Sequence, residues 1–113
     1  WEVREKVGVD PSRGLLAVAR RNYPRIRFEQ AAAEKLPFGN HSFDVVISLT
    51  AIQNFEDVPT ALGEIARVGK DQFVLSFLKN SPRKRRIQEE ILKIWPEAQM
   101  HTQQKDMIVT VGF

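Results

Sequence analysis

Residues 36–48, which read Leu-Pro-Phe-Gly-Asn-His-Ser-Phe-Asp-Val-Val-Ile-Ser, decide the fold of this chain. The second half of the stretch continues to residue 49 as an apolar run rich in β-branched side chains, and Pro37 and Gly39-Asn40 supply a turn before it. An apolar run without polar alternation predicts a strand that helices cover on both faces. Because ligands bind outside the carboxyl ends of strands in open α/β sheets, we expect the chemistry at residues 48–54.

The composition is that of an ordinary globular domain. The chain has 113 residues, of which 42% are hydrophobic and 27% charged, and this size predicts one domain over residues 1–113. No apolar run is long enough to cross a bilayer, and no signal-peptide pattern opens the chain. The absence of cysteine excludes disulfides and thiolate metal sites and fits a cytoplasmic location. The net charge of +3 fits an anionic substrate or simple solubility equally well.

Alternating patterns predict a mostly parallel sheet. The predicted strands cover residues 7–9, 26–29, 43–49 and 72–78, with two further strands at 98–102 and 107–113. The predicted helices begin at the caps Ser12, Asp57 and Ser81, and they end near residues 22, 69 and 96. Strands that alternate with helices indicate an α/β fold, and the last two strands form an antiparallel hairpin at its C-terminal edge.

Four segments resemble a known family in their order and spacing. They are Val7-Gly-Val-Asp-Pro-Ser12, Ala33-Glu-Lys-Leu-Pro-Phe38, Ser42-Phe-Asp-Val-Val-Ile-Ser48 and Ala61-Leu-Gly-Glu-Ile-Ala-Arg-Val68. Together they resemble the class I S-adenosylmethionine-dependent methyltransferases, in particular the small-molecule type with a Leu-Pro-Phe element. The resemblance implies a three-layer αβα Rossmann-like sheet, S-adenosylmethionine as cofactor and transfer of its methyl group to an unidentified small-molecule acceptor.

The resemblance also implies where the nucleoside of the cofactor would bind. Asp10 would anchor the ribose hydroxyls, for which a carboxylate is suited because its two oxygens can meet two adjacent donors. Pro11 would lie against the adenine as an apolar neighbour. Ala33 and Glu34 would meet the adenine edge.

The rest of the implied site follows the central strand. Ser48, Leu49 and Thr50 would line the methionine side of the cofactor, and Gln53 and Asn54 would face the substrate. Methyl transfer from a sulfonium mainly requires alignment of the nucleophile with the methyl group, so we assign no catalytic residue. We expect no metal.

Two features depart from the family's pattern. No Gly-x-Gly segment, which cradles the methionine part of the cofactor in the family, stands before Asp10, and Ala32 replaces an aspartate found in many relatives. The family's first strand, which lies between the strands at 7–9 and 43–49, is also missing. Either these two strands close up directly, or a homodimer partner, another chain or a missing segment fills the gap. Because the chain begins at Trp1, we expect a fragment or a processed product.

Three alternatives stay open. Asp10 could cap the following helix, or it could be the ribose anchor of a nicotinamide-binding Rossmann fold. The whole chain could be a non-catalytic remnant that serves as a binding or assembly module. The basic cluster Arg83-Lys-Arg-Arg86 predicts either a nucleic-acid or phosphate-bearing partner or a solvated patch offset by Glu89 and Glu90.

Overall fold

The computed structural model describes residues 6–49 and 51–113. Strands and helices alternate along the chain as the sequence predicts. In order they are β1 (Val7–Asp10), α1 (Arg13–Asn22), β2 (Arg27–Gln30), β3 (Phe43–Ser48), a single 3-10 turn (Ile52–Asn54), α2 (Val58–Val68), β4 (Gly69–Leu78), α3 (Lys84–Ile94), β5 (Gln99–Gln103) and β6 (Asp106–Val111). The predicted α/β fold class is confirmed.

The strands form two sheets. β1 and β2 pair in parallel, and the larger sheet has the order β3-β4-β6-β5. Within the larger sheet β3 and β4 are parallel, whereas β6 pairs with β4 and β5 in antiparallel fashion, as predicted for the C-terminal edge. In residues 6–49 and 51–113 no ladder joins β1 to β3. These strands therefore do not close up directly across the missing strand.

The hydrophobic core lies between the larger sheet and the helices α2 and α3. Phe73, Leu75 and Phe77 alternate along β4 with side chains on the opposite face, which is the period of two that a strand requires. The helices supply the other side of the core through the apolar stripes that they bury. The fully buried side chains that meet there include Val58, Leu62, Leu75, Phe77, Ile87, Ile91 and Val109. The core thus fixes β3, β4 and the loops that follow them.

The helix ends follow local chemistry. Ser12 caps α1, and Asp57 caps α2 by accepting hydrogen bonds from the backbone N–H of Thr60 at 3.2 Å and from its hydroxyl at 2.8 Å. Gly69 ends α2 and begins β4 with extended backbone rather than the left-handed form common after helices. A Cβ at Gly69 would overlap the ring of Phe73, so glycine allows the helix end to approach the core.

α3 begins later than the sequence predicts. Ser81 is predicted as the cap and Pro82 as the first helical residue, but Arg83 occupies the N-cap position and the helix starts at Lys84. The Ser81 hydroxyl instead accepts a hydrogen bond from the Arg83 N–H at 3.1 Å and closes a turn before the helix. The cause is tertiary, because the Arg83 side chain reaches across to the loop after β3.

One face of β3 is open to solvent. Val46 packs against the core, but Ile47 points the other way and is 60% exposed, and Leu49 is 64% exposed. The prediction that helices cover both faces of this strand is therefore wrong at Ile47. α1 is also partly open to solvent, since Leu16 is buried whereas Leu15 is exposed.

Candidate functional site

Asp10 ends β1 and has two contacts that fix its position. Its Oδ1 accepts a hydrogen bond from the Ser12 N–H at 2.8 Å, and its backbone oxygen accepts one from the Ala31 N–H at 3.2 Å. The first contact is a turn that orients the half-buried carboxylate. The second brings the loop after β2 alongside the end of β1. Ser12 rather than Asp10 caps α1. The Asp10 carboxylate therefore closes the turn before the helix and is not the helix cap.

The loop after β2 carries the predicted adenine-side residues. A hydrogen bond of 3.1 Å from the Lys35 N–H to the Ala32 oxygen closes a turn around Ala33 and Glu34. The Oε2 atom of Glu34 accepts a hydrogen bond from the Asp57 N–H at 3.0 Å. Glu34 therefore ties this loop to the N-terminus of α2. Pro11 is exposed nearby in the chain, and its carbonyl oxygen accepts from Gln30.

An ion pair on α2 holds the Leu-Pro-Phe loop. It was not predicted from the sequence. Nε of Arg67 lies 2.6 Å from Oε2 of Glu64, and Nη2 lies 3.1 Å from Oε1. The Glu64 carboxylate also accepts from the Leu36 N–H at 2.9 Å. Arg67 donates to the backbone oxygens of Leu36 at 3.1 Å and Phe38 at 2.7 Å, and to Asn40 Oδ1 at 3.0 Å. The Glu-x-x-Arg spacing on a helix was the available signal.

Charged and aromatic contacts also hold this loop in place. The Arg67 hydrogen bond holds the pKa of the Glu64 carboxyl below its ordinary value, although partial burial acts in the opposite direction. Hydrogen bonds from Thr60 likewise lower the pKa of Asp57. The ring of Phe38 meets that of Phe43 edge-on, with centroids 5.0 Å apart. The loop is thus joined to α2 and to the start of β3.

The predicted methionine-side residues stand at the end of β3. Ser48 is half-buried and is the last residue of the strand, in register with Leu75 of β4. Leu49 follows it and is largely exposed. Thr50 lies outside the described residues, and its predicted role stays a prediction.

The predicted substrate-side residues line an open groove of about 480 Å³. Arg83 donates from Nη1 to the backbone oxygens of Gln53 at 3.0 Å and Phe55 at 2.6 Å, and Gln53 accepts from the Leu78 N–H at 3.4 Å. These bonds join the loop after β3 to the loop after β4. The groove is lined by Gln53, Asn54, Leu78, Asn80, Ser81, Pro82, Arg83 and Lys105. From the sequence, Arg83 is predicted only as part of a charge cluster, and its place in this groove is not predicted.

The structure brings the predicted residues together in two groups. The nucleoside-side residues lie at the ends of β1 and β2, where Asp10 and Ala31 are hydrogen-bonded. The substrate-side residues line the groove at the ends of β3 and β4. Asp10, Pro11, Ala33, Ser48 and Leu49 are not among the lining residues of that groove. Glu34, through Asp57, connects the loop after β2 to the segment that follows β3.

Comparison with known proteins identifies the family. The profile of the family described as "Methyltransferase domain" matches residues 2–77, which is more than half of the chain. The chain belongs to this family. This methyltransferase domain is 44% identical over 63 residues to a demethylmenaquinone methyltransferase of Chlorobaculum parvum, a match that covers 56% of this chain and 26% of that protein.

Solved structures agree with the family. The YcgJ protein of Bacillus subtilis is 36% identical, with a TM-score of 0.62 over 67% of this chain and 36% of that one. The PH0226 protein of Pyrococcus horikoshii OT3 is 19% identical, with a TM-score of 0.75 over 96% of this chain and 71% of that one, and it shows the fold alone. These findings confirm the Rossmann-like methyltransferase fold, and S-adenosylmethionine is the cofactor that the family implies.

This chain matches only part of the length of its relatives. This methyltransferase domain spans 26% of the length of the Chlorobaculum protein and 36% of YcgJ. Within residues 6–49 and 51–113, no helix has the length and apolar character needed to cross a membrane. The cytoplasmic location stays a prediction.

Proposed function

We propose that this methyltransferase domain binds S-adenosylmethionine and serves methyl transfer to a small-molecule acceptor. The observation that carries the proposal is the set of hydrogen bonds that links the loops after β1, β2, β3 and β4, namely Asp10–Ala31, Glu34–Asp57 and Arg83–Gln53. In α/β folds ligands bind at the carboxyl ends of the strands where the winding of the chain reverses. β1 and β2 lie in one sheet and β3 and β4 in the other, so the reversal falls between β1 and β3.

The residues present fit the nucleoside half of the cofactor. The Asp10 carboxylate is oriented by the Ser12 N–H at the end of β1, which suits an acceptor for the ribose hydroxyls. Pro11 would lie against the adenine, and the turn at Ala33 and Glu34 would meet its edge. This arrangement supports binding of the adenosine part without any group from the methionine side.

The methionine half of the cofactor would lie at the end of β3. Ser48 ends this strand and Leu49 follows it, next to Thr50, and they would line this side of the cofactor. No Gly-x-Gly segment precedes Asp10 in the sequence, so the described residues offer no such cradle of backbone N–H groups. The bound cofactor would supply an electrophilic methyl group on its sulfonium. The residues of this chain would orient the cofactor and, through Gln53 and Asn54, position the acceptor in the groove.

The alternative of a non-catalytic module is not favoured. The family profile and the Chlorobaculum relative both carry methyltransferase names.

The nucleic-acid reading of the basic cluster also has little support. Arg85 and Arg86 each lie 3.5 Å from a glutamate one turn along α3, Glu89 and Glu90, which favours the solvated patch.

We also propose that a second copy of the chain fills the gap between the two sheets with a β-strand. In the described part of the chain, β1 is paired only with β2 and β3 only with β4, so each has an unpaired edge. Ile47 and Leu49 stand exposed beside the edge of β3. A strand added there would pair both edges and cover these side chains. A strand from another polypeptide, or from a further segment of the same chain, is the outcome that would replace this proposal.

Amide chemical-shift mapping tests the cofactor site. Titration of the ¹⁵N-labelled chain with S-adenosylhomocysteine, the demethylated cofactor, should shift the backbone amides of Asp10, Ser12 and residues 31–34 first. Shifts at these two segments support the proposed nucleoside site. Shifts confined to other parts of the chain, or no shifts at about 1 mM ligand, which corresponds to about −4 kcal/mol, would overturn it.

A further inference from the structure

We propose that the groove at the ends of β3 and β4 recognises an acceptor that carries an anionic group, a carboxylate or a phosphate, next to an apolar portion. This inference rests on the proposed function, because it takes the groove as the acceptor site. It goes further in naming the chemical class of the acceptor.

The residues that line the groove carry a net positive charge. Its lining includes Arg83 and Lys105 and no aspartate or glutamate. The ion pairs of the described residues involve other cations, and neither Arg83 nor Lys105 takes part in one. Arg83 is held instead by two backbone oxygens, so its charge is fixed in place while it remains available to an anion.

The position of Lys105 is also fixed by the backbone. Gln104 and Lys105 form the two-residue turn between β5 and β6, and Gln104 takes the left-handed conformation with φ of 54°. The backbone oxygen of Lys105 accepts a hydrogen bond from the Lys79 N–H at 2.9 Å. This bond ties the turn to the end of β4. The second cation is therefore placed at the groove by the hairpin.

The other lining groups suit an acceptor of mixed character. Asn54, Asn80 and Ser81 supply amide and hydroxyl groups, which can donate hydrogen bonds to the oxygens of an anion. Leu78, which is 38% exposed, and Pro82 supply apolar surface for an aromatic or aliphatic portion. A small molecule with a charged end and an apolar body would use both parts.

A neighbouring groove provides an internal comparison. It has a volume of about 430 Å³ and is lined by Glu56 and Asp57 as well as Arg83 and Arg86, so it contains both signs of charge. The two grooves share Pro82 and Arg83 but differ in their carboxylates. An anion should therefore prefer the groove that includes Lys105.

The test uses simple anions without cofactor, so that its result does not depend on cofactor binding. The ¹⁵N-labelled chain is titrated with benzoate, with its neutral analogue benzamide and with inorganic phosphate. We expect benzoate to shift the side-chain amides of Asn54 and Asn80 and to bind about fivefold or more tightly than benzamide, since the charge adds ion-pair strength. A preference for phosphate over benzoate would identify a phosphorylated acceptor.

Two variants separate the groove from general surface charge. Lys105→Gln should weaken benzoate binding about two- to fivefold, as expected for one exposed charge pair. The matched variant Lys70→Gln, at the opposite end of β4 where Lys70 pairs with Asp44 at 3.1 Å, should leave the affinity unchanged. Equal affinities for benzoate and benzamide, or equal effects of the two variants, would overturn the inference. Failure of cofactor binding, with the benzoate preference intact, would overturn the proposed function and leave the groove as an anion-binding site.

Discussion

Arg67 and Glu64 form a two-point ion pair on α2, with N–O distances of 2.6 Å and 3.1 Å. The same two side chains hold the backbone of the Leu-Pro-Phe loop through Leu36 and Phe38. Two of the sequence segments that resemble the family are therefore bonded to each other in the structure. The loop in turn leads into β3, whose far end carries the candidate site.

Replacement of Arg67 by lysine should destabilise the fold. Lysine keeps the charge but lacks the planar fork that reaches two carboxylate oxygens and two carbonyls. We expect the midpoint of thermal unfolding to fall by about 4–8 °C, which is typical for the loss of a small number of hydrogen bonds in a domain of this size. The matched variant Arg85→Lys, at an exposed pair 3.5 Å from Glu89, should change the midpoint by about 1 °C or less. Equal midpoints for the two variants would contradict this role of Arg67.

The same ion pair predicts a pH dependence. The pKa of the folded Glu64 carboxyl is lowered by the Arg67 hydrogen bond, so the folded chain holds fewer protons there than the unfolded chain. The resulting stability is fully present above the unfolded value of about 4.3 and is lost as the pH falls through the folded value below it. The midpoint of thermal unfolding of the wild type should therefore fall more steeply below about pH 4.5 than that of Glu64→Gln. Parallel curves for the two proteins would refute the assignment.

Variants of Glu34 separate its structural role from its predicted contact with the cofactor. Glu34→Ala removes the acceptor of the Asp57 N–H and should lower the free energy of unfolding by about 1 kcal/mol. Glu34→Gln keeps an oxygen acceptor and should leave the stability close to that of the wild type. Cofactor titration of Glu34→Gln then reports on the carboxylate alone. Equal stability of the alanine and glutamine variants would show that the bond to Asp57 contributes nothing.

The sequence predicted the elements well because their signals are local. The caps Ser12 and Asp57 follow from residue type and position, and both are confirmed. The start of α3 was missed because it depends on Arg83, whose side chain bonds to Gln53 and Phe55, far away in the chain. No local pattern carries that information.

The loops of the candidate site were predictable from the sequence, but not all of the residues that line its groove were. The loops at strand ends follow from the order of elements, and the groove around Gln53 and Asn54 lies where the sequence places substrate chemistry. The exposure of Ile47 was not predictable from an apolar run, since the run reports what a strand can bury and not which neighbours are present. Lys105 enters the groove only through the hairpin, which joins parts of the chain distant in sequence.

The proposed second copy predicts the mass of the chain in solution. Light scattering should give twice the mass of one chain, because a strand from a partner would pair the edges of β1 and β3. Ile47→Lys places a charge on the surface that such a strand would cover, and it should shift the mass towards one chain. Leu92→Lys, at an exposed position on α3, should have no effect. A strict monomer at all concentrations would rule out the second copy.

Calorimetric titration with S-adenosylmethionine tests whether the end of β1 binds the cofactor. We expect binding with a dissociation constant in the micromolar range, which Asp10→Ala abolishes. Asp44→Ala removes a carboxylate near the start of β3, in the other sheet, and should leave the affinity unchanged. The absence of heat at about 1 mM cofactor, or equal affinities of the two variants, would rule out this site.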